Sequence, residues 1–246
     1  MDPKTDRLIA ARHRPNRRPV MHQSWDDLIF LHWACDPQEV QSRLPKGLLV
    51  DTFESQAHIG IVGFKMNNVR PFNLPALPWL SFFNELNVRV YVVDQQGVPG
   101  VYFFSLDCDC WPAVTIARKF FSLNYVSTKM NFKTDNNKYQ LTAQRKESAL
   151  IAQYTWQTEN PAQKAVPGTL AFHLTERYNF FTEKNGQLLR GQVHHEPYEL
   201  MDTHCTAYSE APLAWNHFSC PQRPPDLVHA CRGVKIQAFS LVKTDA

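Results

Sequence analysis

The first chemical signal is a pair of ionisable residues set into an apolar strand. In Asn84–Val93, Leu86, Val88, Val90 and Val92 alternate with Glu85, Asn87, Arg89 and Tyr91. A β-strand with this pattern carries a packing stripe on one face and a carboxylate with a guanidinium on the other. A carboxyl group can move protons, and a guanidinium can hold an anion. Strand residues rise about 3.3 Å each, so the backbones of Glu85 and Arg89 lie roughly 13 Å apart and the two need not pair. Their face is either solvated or the lining of a cavity, since small barrels hold ligands inside.

Further candidates stand at the ends of elements. His194, His195 and Glu196 precede Pro197 at a strand end. Neighbouring residues on a strand point to opposite faces, so one histidine at most can join a site. One buried and one exposed imidazole is the expectation, and chelation is disfavoured. Glu176 and Arg177 read as a charge pair at the end of a short helix, and His32 as a satisfied core histidine. Arg89, Arg177, His194, His195 and Glu196 are the candidate substrate contacts. Six scattered cysteines do not make a disulfide scaffold, and Cys108-x-Cys110 lacks the two-residue gap of a zinc knuckle. Free thiols in a reducing cytoplasm, with no metal, are expected. No Walker loop, dinucleotide fingerprint, nucleophile elbow or HExxH occurs, so no cofactor is implied.

The elements that must position these groups are mostly strands. Leu28–Ala34 reads as a strand covered on both faces, and Asp36 with Pro37 and Glu39 announces a short helix through a cap and an acidic capping box. Strands follow at Leu48–Phe53 and Ala57–Met66, then a proline-stiffened loop at Pro71–Pro78, then Asn84–Val93 and Gly100–Asp107. Pro112 opens the clearest helix. Ala113, Ile116, Ala117, Phe120 and Phe121 form its apolar stripe, which is expected to be buried, and Arg118 faces solvent or a cavity mouth. A meander at Tyr125–Lys133, Lys138–Lys146 and Leu150–Gln157 precedes a short helix at Leu170–Thr175. A hairpin turning at Asn185-Gly186 and further C-terminal strands complete the chain.

This pattern predicts an α+β, mainly β fold: an antiparallel β-barrel with a few short helices. At 246 residues, 43% hydrophobic and 20% charged, the chain suits one domain over residues 22–246. Residues 1–21, with Arg7, Arg12, Arg14, Arg17 and Arg18, read as a flexible basic tail. A net charge of +3 implies no nucleic-acid partner, and no apolar run is long enough for a spanning helix. The expected partner is a small molecule in a cytoplasmic protein, and a homo-oligomer is compatible with such a chain.

Several runs then carry a resemblance. Leu31-His-Trp-Ala-Cys-Asp-Pro-Gln-Glu-Val, Leu44-Pro-Lys-Gly-Leu, Phe83-Asn-Glu-Leu-Asn-Val-Arg-Val-Tyr-Val, Phe104-Ser-Leu-Asp, Leu174-Thr-Glu-Arg-Tyr and Gly191-Gln-Val-His-His-Glu-Pro-Tyr resemble the YqjF-like family of uncharacterised conserved bacterial proteins. That family looks like a branch of the acetoacetate-decarboxylase-like superfamily, which implies a β-barrel enclosing a cavity. The superfamily's decarboxylase forms a Schiff base on a lysine whose pair follows a helix as Arg-Glu-x-x-Gly-x-Pro-Lys-Lys. Here the matching run is Arg118-Lys119-Phe120-Phe121-Ser122-Leu123-Asn124-Tyr125-Val126, so Tyr125 and Val126 take the lysine places. The resemblance matches Glu85 to the acidic residue of the cavity strand and Arg118 to the arginine before the lysine pair. Glu85, Arg118 and Tyr125 are therefore the catalytic candidates of a barrel whose Schiff-base chemistry is gone. Lys119 and Lys129 are the nearest lysines that could substitute. A binding or regulatory protein using the same cavity is the alternative.

Overall fold

The computed structural model describes residues 2–159 and 161–244. The side chain of Phe120, placed on the helical stripe above, lies outside the described residues. In chain order the elements are α1 (Pro3–Ala10), β1 (Met21–Cys35), α2 (Pro37–Gln41), β2 (Leu48–Val50), β3 (Ala57–Pro71), β4 (Phe83–Asp94) and β5 (Pro99–Cys108). Then come α3 (Trp111–Phe121), β6 (Tyr125–Asp135), β7 (Lys138–Arg145), β8 (Ala152–Thr158), β9 (Gln163–Lys164), α4 (Leu170–Thr175) and β10 (Asn179–Lys184). The chain ends with β11 (Gln187–His194), β12 (Glu199–Ala207), α5 (Ala211–Trp215), β13 (Leu227–Ala238) and β14 (Val242–Lys243). The protein is mainly β with a few short helices. Among the described residues, no helix is long and apolar enough to cross a membrane.

Strand pairing runs β5, β6, β7, β8, β12, β13, β1, β3, β4 and back to β5, so these hydrogen-bonded neighbours form a closed circuit. The pairing is not wholly antiparallel as expected: β5 runs parallel to β6 and to β10. The reason for the first lies in the chain between them. A strand can meet a parallel neighbour only through a crossover, and α3 supplies it, setting Leu106 beside Tyr125.

Both faces of β4 are covered. Leu86, Val88, Val90 and Val92 pack with Ile29, Leu31, Trp33, Ile59 and Ile61 in the main core. This layer is tight: a Cβ at Gly63 would sit 2.5 Å from Leu141 Cδ2, so the glycine makes room for that leucine. The opposite face, with Leu28, Phe30, Val62, Phe64 and Tyr198 from neighbouring segments, forms a second apolar layer around a hollow. Helix α2 begins at the predicted cap, with Asp36 Oδ1 accepting from Gln38 N at 2.9 Å. Glu39 does not complete a capping box; its carboxylate accepts from Ser219 N across the fold instead. The stripe of α3 corrects another expectation. Ala113, Ile116, Ala117 and Phe121 line the hollow; Ala113 and Ala117 also pack against the cluster of Leu106, Cys108, Val114 and Tyr125, while Ile116 is exposed.

The N-terminal segment is not the solvated tail expected from its arginines. Thr5 and Leu8 of α1 are buried, and Arg14 and Arg17 stack over Phe239. Lys4 Nζ donates to the Thr52 carbonyl, and Arg12 Nε donates to Glu176 Oε2 at 2.7 Å while its guanidinium covers Phe172. These arginines lay their planar heads on aromatic faces, an interaction that composition alone does not reveal. Glu176 is buried, and its other partner is the Tyr178 hydroxyl, so Arg12 is its only ion-pair partner among the described residues. Arg12→Ala is expected to lower unfolding free energy by about 2 kcal/mol, a discounted figure because Arg12 is partly exposed. Urea denaturation of Arg12→Ala, Glu176→Gln and the double variant measures this, with the double variant recovering most of the loss.

Candidate functional site

The polar face of β4 is desolvated. Glu85 is 2% exposed, Asn87 3% and Arg89 7%, and all three line a cavity of about 230 Å³. The cavity wall is otherwise largely aromatic and aliphatic, with Phe30, Phe64, Phe83, Phe103, Leu106 and Phe180 among its residues. Its depth follows from strand geometry: Phe83, Glu85, Asn87 and Arg89 all face it from one strand, a run of roughly 20 Å at the usual rise.

At one station, Tyr125 donates its hydroxyl proton to Glu85 Oε2 at 2.7 Å, and Asn87 Nδ2 donates to Oε1 at 3.2 Å. Across three strands, Asn87 stands opposite Leu106 and Leu106 opposite Tyr125, so the α3 crossover is what brings the phenol to the carboxyl group. Burial raises the pKa of Glu85 to about 7; the two hydrogen bonds hold it down and Asp107 pushes it up. Burial also drives the Tyr125 pKa well up, and the neighbouring Glu85 adds to this, so the phenol stays neutral. Asp107 itself is held by Arg145 through two hydrogen bonds, 2.6 Å from Nε and 2.8 Å from Nη2.

At the other station stands Arg89. Its Nε donates to the Tyr91 hydroxyl at 3.3 Å, its Nη2 to the Leu174 carbonyl at 3.4 Å, and its head lies 5.6 Å from the centre of the Phe30 ring. Among the described residues no carboxylate lies within ion-pair distance of it. The Tyr91 hydroxyl is also 2.6 Å from His32 Nε2. Burial first, and then Arg89, lower the His32 pKa well below its ordinary value, which favours a neutral imidazole beside the tyrosine. Gly60 opens this corner, since a Cβ there would stand 3.1 Å from both the His32 ring and the Tyr91 oxygen.

The other sequence candidates fall in different places. Arg177 borders the cavity, but its Nη1 donates to Asp51 Oδ2 at 2.8 Å and its Nε to the His173 carbonyl, so its charge is already met. Arg118 is exposed and does not line the cavity; its Nε donates to the Tyr125 carbonyl at 2.6 Å and braces the backbone there. His194 is half-buried with Nδ1 3.1 Å from the Arg12 carbonyl, facing the N-terminal segment. His195 is buried behind Tyr198, its Nδ1 donating to the Glu196 carbonyl at 2.7 Å while Nε2 has no partner. Burial lowers its pKa to about 4. Glu196 is exposed, outside the cavity, as are Lys119 and Lys129. Tyr198 and Asn179 line the cavity without having been singled out; Tyr198 precedes β12 in an irregular segment where no periodicity marks its direction.

The fold is that of acetoacetate decarboxylase-like enzymes. A structure of such an enzyme from Sphingomonas wittichii RW1 superposes with a TM-score of 0.64 at 11% identity, covering 94% of this chain and 95% of that one. Acetoacetate decarboxylase from Legionella pneumophila gives 0.63 at 11% identity, covering 94% and 92%. The enduracididine biosynthesis enzyme MppR complexed with pyruvate gives 0.63 at 9% identity, covering 92% and 91%. Within this fold the chain belongs to the DUF2071 family, described as an uncharacterized conserved protein, which matches residues 22–235. It is 33% identical over 214 residues to the uncharacterized protein YqjF of Bacillus subtilis (strain 168), covering 86% of this chain and 87% of that protein.

The elevated Glu85 pKa links stability to pH. An unfolded glutamate ionises near 4.5 while the folded one holds its proton to about 7, so stability falls as pH rises through that window, by up to roughly 3 kcal/mol. Glu85→Gln removes the ionisation. Its urea midpoint relative to the parent protein is expected to improve between about pH 5 and about pH 8; a pH-independent difference would contradict the assignment.

Proposed function

We propose that the cavity binds a small carboxylic acid, that Arg89 holds its carboxylate, and that the Glu85–Tyr125 pair exchanges a proton with a carbonyl-bearing ligand without a Schiff base. The observation that carries this reading is Arg89: a buried guanidinium lining an apolar hollow, with neutral partners only. An unpaired buried cation is costly, and a ligand carboxylate would meet it with charge-assisted bonds. In this reading the closed circuit of strands acts as a barrel wall around the ligand.

Glu85 suits the second role because a pKa near 7 leaves both its protonated and its ionised forms accessible at neutral pH. Tyr125, neutral and donating to Oε2, orients the carboxyl group and shares in the transfer. No lysine is among the residues lining the cavity, which argues against covalent trapping of a carbonyl. The pyruvate complex of MppR supports a keto acid as the kind of ligand this fold accepts. A second reading, a binding protein that leaves its ligand unchanged, is favoured by the same lining, which also lacks serine, cysteine and histidine.

Calorimetry against a panel of carboxylates and their neutral amides tests the anchor. Arg89→Leu is expected to weaken the acids at least tenfold and the amides little; equal binding of acids by both proteins would reject the assignment. Borohydride with a bound keto acid is expected to leave no mass adduct. Nuclear magnetic resonance in deuterated water then separates the two readings. Exchange next to the ligand carbonyl, abolished in Glu85→Gln, marks an enzyme, and binding without exchange marks a carrier or sensor.

A further inference from the structure

The two stations of the cavity are held apart, and we infer from this that the ligand is an elongated, apolar-bodied acid that bridges them, its carboxylate at Arg89 and a second polar group, a ketone or hydroxyl, at Glu85–Tyr125. The inference rests on the reading of Arg89 as the carboxylate anchor. The backbones of Glu85 and Arg89 are separated by four residues of extended strand, roughly 13 Å. Their side chains do not close this gap. Arg89 reaches away from Glu85, toward Tyr91, which lies two residues further along the strand, and toward the Leu174 carbonyl at the end of α4. Glu85 is tied at the other end, to Tyr125 at the start of β6. Neither is free to swing toward the other without breaking these bonds.

What lies between and beyond the stations is apolar. Phe103 stands opposite Arg89 and Leu106 opposite Asn87 on β5, and both line the hollow. Past Glu85 the lining continues through Phe83 to Leu80, Ala113 and Ala117. The small alanines leave the width that a chain of methylenes or a ring occupies. An acid of three or four carbons placed on Arg89 would leave Glu85 facing empty apolar space, and one placed on Glu85 would leave the cation unpaired. An elongated acid satisfies both ends, and each methylene removed from water strengthens binding by about fourfold.

Methyl-keto acids of increasing length test this: pyruvate, levulinate, 6-oxoheptanoate and 8-oxononanoate, with heptanoate and nonanoate as controls lacking the ketone. Isothermal titration is expected to show affinity rising at least tenfold from pyruvate to the best long keto acid. Glu85→Leu should erase the advantage of each long keto acid over its plain counterpart, and Arg89→Leu should weaken every acid. Circular dichroism confirms that both variants are folded. Pyruvate binding as tightly as the long acids, still through Arg89, overturns the elongated ligand and leaves the anchor standing. Failure of every acid to bind in an Arg89-dependent way overturns both.

Discussion

The structure turns on a strand whose two faces are both buried although only one is apolar. The valines and leucine of β4 enter the main core, and the segments that line the hollow on the other side keep Glu85, Asn87 and Arg89 out of water. A buried polar group must find partners inside the protein, and a buried charge must find more. Much of the surrounding architecture can be read as the supply of those partners. The α3 crossover brings the Tyr125 hydroxyl to Glu85, the end of α4 brings the Leu174 carbonyl to Arg89, and β1 brings Phe30 to Arg89 and His32 to Tyr91.

The compensation is uneven, and the unevenness sets the candidate site apart from the scaffold. Three arginines are buried among the described residues, and two of them meet a carboxylate, Arg145 with Asp107 and Arg177 with Asp51, as the partly exposed Arg12 does with Glu176. Those pairs join distant segments and close the fold. Arg89 is the exception, satisfied by a phenol, a carbonyl and aromatic faces. Such partners solvate a guanidinium without neutralising it, so the attraction for an anion survives. A carboxylate fixed in the protein would have cancelled it.

Alternation in Asn84–Val93 made the two faces of β4 legible, because period-two patterning reports which residues share a side. It could not report that the polar side was also buried, since burial depends on what packs against the strand from elsewhere. The same limit explains Arg118. Helical periodicity placed it off the apolar stripe, and the stripe itself faces a hollow, but the guanidinium turns to the Tyr125 carbonyl along the helix end and never reaches the cavity. Composition misjudged residues 2–20 for another reason: Leu8 is a single apolar anchor, and the arginines bind by stacking on Phe172 and Phe239, contacts set by tertiary placement alone. The parallel pairing of β5 with β6 is implicit in a strand, helix, strand order, and local turn signals for antiparallel hairpins obscured it.

Tyr125 stands at the first lysine place of the pattern the sequence resembles, and this difference bears on the electrostatics of the cavity. Ser122, in the place of the resembling pattern's glycine, takes a left-handed φ of 52°, the conformation that a glycine adopts most readily, so the turn that delivers residue 125 keeps its backbone path. Only the delivered group differs. A lysine beside Glu85 would pair with it, hold the carboxylate ionised and be itself held protonated, unless a second lysine lowered its pKa. Tyr125 carries no charge, so desolvation acts on Glu85 with no cation beside it, and the carboxyl group keeps its proton to a higher pH. In the proposed reading the cavity therefore works through a carboxyl group whose pKa is raised to about 7 and not through a nucleophilic nitrogen.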